Sequence, residues 1–183
     1  MDVASLDLRL FQLHPLGFYF QSQKQGDGVL ERIHVWPGGP GELSETENEF
    51  HNHSFSITSQ IVVGQLRNEI YQFVENASGE YSEFAVEYPN GKSVVSTTGK
   101  EGSLNLICSF QIGGGESYFL AAGLIHRIVI VKHPCITVLE TVEKGCPIRC
   151  YGMDKSEPQF ERRFVNDNEF RELEAIFGTF GLR

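Results

Sequence analysis

The chain has 183 residues, 40% of them hydrophobic and 21% charged, enough for one domain with a substantial core and too short to require a second. Lys and Arg number 15 against 24 Asp and Glu, a formal net charge of −9, so the surface field repels phosphate backbones and anionic lipid; nucleic acid and membrane are not expected partners. No apolar run approaches the roughly 20 residues of a bilayer span, and Asp2, Asp7 and Arg9 break the apolar pattern at the N-terminus, which argues against a secretory signal and for a cytoplasmic setting.

In chain order, Val3, Leu6, Leu10 and Leu13 fall at helical spacing. His14-Pro15 ends that run, because the residue before a proline is pushed out of the α region, so the spacing predicts a short helix over residues 2–13. Residues 16–22 and 29–36 read as extended and are joined through the turn-forming residues 23–28 into a hairpin. Pro37-Gly38-Gly39-Pro40-Gly41 then interrupts regular structure. It opens an acidic segment containing Glu42, Glu45, Glu47 and Glu49, with no Lys or Arg between Arg32 and Arg67; a solvated surface is the plain reading and a lid over a site the alternative. Further strands fit residues 56–63, 65–74, 81–88, 93–97, 104–112, 117–120, 126–132 and 136–142, with turn signals at Gly64 and at residues 76–79, 89–91, 99–102 and 113–115. Many short strands so punctuated predict an all-β sandwich or barrel. Asn166 with Glu169 three residues later forms a capping-box start, and Phe170, Leu173 and Phe177 give one apolar stripe, so a closing helix is expected over residues 167–177. Cys108, Cys135, Cys146 and Cys150 read as free thiols, and Cys146-Pro-Ile-Arg-Cys150 has one residue too many for the common zinc spacing.

The chemistry points to His51-Asn52-His53. In an extended segment residues two apart face the same way, so two imidazoles converge on one ion. A third lies in Gly115-Glu116-Ser117-Tyr118-Phe119-Leu120-Ala121-Ala122-Gly123-Leu124-Ile125-His126. Together the two segments resemble the motifs of the cupin superfamily: His-x-His, three or four residues, Glu, six residues and Gly, then Gly, five residues, Pro-x-Gly, two residues, His, three residues and Asn, with His51, His53, Gly64, Gly115, Gly123 and His126 at matching positions. Ala121 stands in place of Pro and Ile130 in place of Asn. The Glu slot falls on Ile57 or Thr58, neither a carboxylate, and Gln60 shares the strand face of Thr58 but lies off the motif.

This resemblance implies a single cupin jelly-roll β-barrel with its core at about residues 16–150 and short N-terminal and C-terminal helical extensions. It implies a metal centre of His51, His53 and His126, three neutral imidazoles that leave positions open on an octahedral ion. Replacing the carboxylate by a third His removes a negative charge from the ligand set and favours an anionic substrate donor, a thiolate or enolate. Cupins of that kind resemble the thiol dioxygenases, cysteine dioxygenase among them, so the expected function is a non-haem Fe(II) dioxygenase with a small chelating molecule and O₂ as its partners. Zinc, nickel and copper suit the same donors. A metal-assisted isomerase, lyase or dehydratase and a non-catalytic ligand-binding cupin are the rival readings, and cupins often pair into homodimers. For the substrate, Arg32 and Arg67 are the candidate cations and Tyr118 the candidate hydroxyl, with His34 and Trp36 on the strand face of Arg32; Arg127 directly follows His126 and should face away from it.

Overall fold

The computed structural model describes residues 6–24, 29–38, 49–153 and 159–182. The hairpin turn and most of the acidic segment lie outside the described residues. The strands are β1 (Gln12–His14), β2 (Phe18–Lys24), β3 (Val29–Trp36), β4 (Phe50–His51), β5 (Phe55–Glu75), β6 (Tyr81–Glu87), β7 (Lys92–Gly113), β8 (Ser117–Leu120), β9 (Ile125–Glu143), β10 (Arg149–Gly152), β11 (Gln159–Glu161) and β12 (Arg163–Phe164), and helix α1 (Asp167–Thr179) closes the chain. The fold is all-β, and its strand order is β12-β1-β2-β3-β9-β4-β10-β6-β7-β5-β8 with every described pairing antiparallel. A further pairing of β5 with β9 folds this sheet back on itself, so that it encloses an interior.

The strands follow their side-chain period. In β5, Ile57, Ser59 and Ile61 are buried while Thr58 and Gln60 are exposed, the alternation of a strand with one face in a core. In β3, both faces are used: Ile33 and Val35 turn outward under α1, while Trp36 turns into the interior with Phe18 and Phe20. Helix α1 begins at the expected capping box, with Asn166 Oδ1 accepting from the Glu169 N–H and Glu169 Oε2 accepting from the Asn166 N–H. Its Leu173 and Phe177, wholly buried, meet Leu8 and Phe11 over the outer face of β1–β3, each such side chain contributing about 1.5–3 kcal/mol by leaving water.

Two expectations change. The N-terminal helix over residues 2–13 is absent where the chain is described: Leu8–Leu10 form one 3₁₀ turn and Gln12–His14 are strand β1, because pairing with β2 and β12 and burial of Phe11 and Leu13 outweigh the helical spacing. The strands expected on either side of Gly64, of residues 99–102 and of His133-Pro134 are in each case one strand, of 21, 22 and 19 residues. The turn signals mark bends and register shifts within them, as between Ile61 and Leu66 of β5. Gly64 shows why: its φ is +83°, and a Cβ there would lie 2.3 Å from the Pro134 carbonyl oxygen, so only glycine lets β5 cross β9 at that point. No helix among the described residues is long and apolar enough to cross a membrane.

Candidate metal centre

His51 and His126 are brought together by the backbone. β4 is only two residues long, yet it is held between β10 and β9, with Cys150 opposite His51 on one side and His126 opposite it on the other; directly opposed residues place their side chains together. His53 follows two positions on, and its carbonyl accepts from the Gly123 N–H at 3.0 Å, tying it to the turn that leads into β9. Between them Asn52 points the other way and is buried. Its Oδ1 accepts from the Arg149 N–H at 2.7 Å and its Nδ2 donates to the Gly123 carbonyl at 3.5 Å. The His-x-His alternation is therefore fixed from behind.

The three histidines can place one nitrogen each within 4.8 Å of the others, and among the described residues the group contains no carboxylate. His53 Nε2 and His126 Nε2 are 3.0 Å apart. Two donors about 2.1 Å from one ion and 90° apart are separated by about 3.0 Å, whereas a tetrahedral angle separates them by about 3.4 Å. That pair is spaced as two neighbouring ligands of one ion, and the third imidazole lies within 4.8 Å of it. The far nitrogens have their own partners: His51 Nδ1 donates to the Glu49 carbonyl at 2.9 Å and His126 Nδ1 to Asn68 Oδ1 at 3.2 Å, which leaves each Nε2 lone pair free. Burial lowers the pKa of all three, with His51 and His126 adding to the effect on His53 and His51 to that on His126. The imidazoles are thus neutral at pH 7, as metal ligands must be.

Ile57, Ile70, Leu120 and Leu139 form an apolar wall, with Phe55 and Tyr118 packed against it. Ile57 and Thr58 occupy the slot of the motif's carboxylate; Ile57 is in that wall and Thr58 is exposed on the other face. Tyr118 reaches inward, where burial raises its hydroxyl pKa to about 12 against the lowering effect of Ser59 and Asn68 beside it; Ser59 Oγ and Asn68 Nδ2 are buried without a hydrogen-bond partner among the described residues. Arg32 also faces inward: its guanidinium lies 4.6 Å over the Phe55 ring, which stacks on His53 at 4.8 Å. His34 shares that face, where burial and then Arg32 lower its pKa to about 3.

Arg67 does not join them. Leu66, Asn68 and Ile70 take the inner face of β5, so Arg67 points outward, where its Nε donates to Glu69 Oε1 at 2.8 Å. Glu69 also accepts from Tyr71 and Arg127, both on the outside, so Arg127 does face away from His126. Asn68, the partner of His126, lies outside both motifs. Its signal was a polar residue on the buried, otherwise apolar series Leu66, Asn68, Ile70 of a strand.

No family model and no curated protein sequence matches the chain. Among solved structures it is similar to oxalate decarboxylase from Bacillus subtilis at pH 4.6, with TM-score 0.46 and 13% identity over 100% of this chain and 36% of that one. It is similar also to an oxalate oxidase in complex with glycolate, with TM-score 0.43 and 16% identity over 74% and 55% of the two chains. A third is Peruvianin-I, a cysteine peptidase from Thevetia peruviana latex, with TM-score 0.40 and 16% identity over 75% and 68%. The chain thus spans between about a third and two thirds of the length of these proteins. Their activities differ from one another, and the functional reading rests on the residues of the site.

Proposed function

We propose that the protein is a metal-dependent cupin, a non-haem Fe(II) dioxygenase acting on a small molecule that chelates through a thiolate or enolate. One observation supports this reading above the rest: three neutral imidazoles, His126 buried and His51 and His53 half-buried, converge with no carboxylate among them in the described residues. A ferrous ion held by His51, His53 and His126 would supply joint binding of substrate and O₂. The chain's own residues prepare that chemistry. Asn68 and the Glu49 carbonyl hold two rings in one tautomer and orientation. The wall of Ile57, Ile70, Leu120 and Leu139 excludes water from one side. Tyr118, protonated at neutral pH, packs against that wall from within the core.

The test is metal analysis of anaerobically purified protein, then O₂ uptake with a panel of small thiols and diketones. About one equivalent of iron after reconstitution, and O₂ consumption with at least one compound, is the expected result. Iron below about a tenth of an equivalent with no O₂ consumption would refute it. Turnover that persists without O₂ would instead favour a Lewis-acid isomerase or lyase. His51→Ala and His126→Ala should each abolish iron binding, and either variant retaining iron would count against the assigned ligands.

A further inference from the structure

A second cluster, positively charged, lies beside Phe55 and Phe20. Arg32 covers one face of the Phe55 system while Phe55 stacks on His53 at an interplanar angle of 17°. Arg162, between β11 and β12, places its guanidinium 5.3 Å from the centre of the Phe20 ring and 5.2 Å from that of Tyr88. Phe20 and Ser22 are the cross-strand partners of His34 and Arg32, so Arg162 comes in over the position adjacent to Arg32. Burial lowers the pKa of Arg32, and Arg162 lowers it further.

Among the described residues neither guanidinium is ion-paired with a carboxylate. The Nε of each is buried without a hydrogen-bond acceptor among the described residues. Ion pairs there engage Arg9, Arg67, Lys100, Arg127, Arg149 and Arg163, and neither of these two. Glu143 is the carboxylate whose field reaches Arg32, but its oxygens already accept from Ser54 Oγ and from the N–H groups of Lys144 and Gly145. Two desolvated cations beside one another are costly unless an anion joins them, and the planar fork of a guanidinium matches a carboxylate in two hydrogen bonds.

We propose that Arg32 and Arg162 bind the carboxylate of the substrate, which makes the substrate a small organic acid extending from the histidine centre past Phe55 to this pair. The placement of its other end rests on the metal-centre reading; the carboxylate site itself does not. Isothermal titration of the metal-free protein with malonate, and with its neutral analogue malonamide, tests the pair alone. Malonate should bind at least about fivefold more tightly than malonamide, and Arg32→Met and Arg162→Met should each weaken malonate by at least about fivefold. A preference below about fivefold in the unsubstituted protein overturns the proposal, and so does a smaller effect in either folded variant; the first comparison needs no variant to fold. Cobalt(II) titration of the same proteins separates the two readings. Unchanged Co(II) affinity in the Met variants, with malonate lost, is the expected pattern. Absence of Co(II) binding in the unsubstituted protein overturns the metal centre and leaves the malonate result to decide the arginine pair.

Discussion

Replacing Asn68 with Leu probes how the histidine centre is held. Asn68 Oδ1 accepts from His126 Nδ1 at 3.2 Å, and the two residues are 0% and 1% exposed, so no water can take the place of the lost acceptor. A buried donor left unpaired costs about 1–3 kcal/mol. The ring can avoid that cost by moving its proton to Nε2, the atom that sits 3.0 Å from His53 Nε2 and must stay unprotonated to bind a metal. Either way metal binding weakens, by about 10- to 100-fold if Asn68 behaves as other partners of metal-bound histidines do. Competition of Co(II) between the protein and a chromophoric chelator measures the change, and thermal unfolding of the metal-free variant reports the fold separately. Asn68→Asp keeps an oxygen in the same place and should recover most of the affinity. A loss below about threefold in Asn68→Leu, or no recovery in Asn68→Asp, would refute the assigned role.

Other consequences are measurable on the scaffold. Burial alone would raise the Glu69 pKa, but hydrogen bonds from Tyr71, Arg127 and Arg67 outweigh it and hold the carboxyl at about 2 against an ordinary 4.5. A depressed folded-state pKa contributes stability that is whole above about 4.5 and is lost as the pH falls towards 2, at most about 3 kcal/mol. Denaturant midpoints of Glu69→Gln should therefore fall less than those of the parent across that window, and equal slopes would contradict the ion cluster. Gly64→Ala forces a Cβ to 2.3 Å from the Pro134 carbonyl oxygen in a left-handed conformation; strain there and displacement of β9 should cost more than about 3 kcal/mol, and an unchanged unfolding temperature would disprove the close crossing. Phe177→Ala removes a wholly buried ring from the outer cluster and should cost about 3–5 kcal/mol. Its Co(II) affinity should match the parent, because that cluster lies on the opposite face of β3 from Arg32 and Trp36; a matching loss of metal would show the two faces to be coupled.

Much of the site could be read from spacing. His51 and His53 follow from the strand period, His126 from its distance to Gly115 and Gly123, and α1 from Asn166 and Glu169, because each of these depends on contacts only a few residues apart. Long-range partners were not legible in the same way. Arg67 shares its face with Glu69 and Tyr71, while Arg32 shares its face with His34 and Trp36; which of these faces turns inward is decided by the tertiary packing. Arg162 lies in the C-terminal segment, far from either motif, and only the tertiary fold carries it over Phe20. The N-terminal error has a similar origin. Leu6, Leu10 and Leu13 do suit a helix, but Phe11 and Leu13 gain more by entering the sheet and the cluster under α1.

The short strand β4 has one more implication. His53 and His126 are 73 positions apart in the chain, and the intervening residues include all of β5, β6, β7 and β8. An ion shared by these two side chains would be a crosslink closing the loop that carries β5 to β8, as a covalent bridge would be. By chain entropy alone, a tie closing a loop of that length restricts the unfolded chain by about 4 kcal/mol. Chelation would then remove a fastener as well as a reaction centre, and the first part to loosen would be the two-residue strand that carries His51.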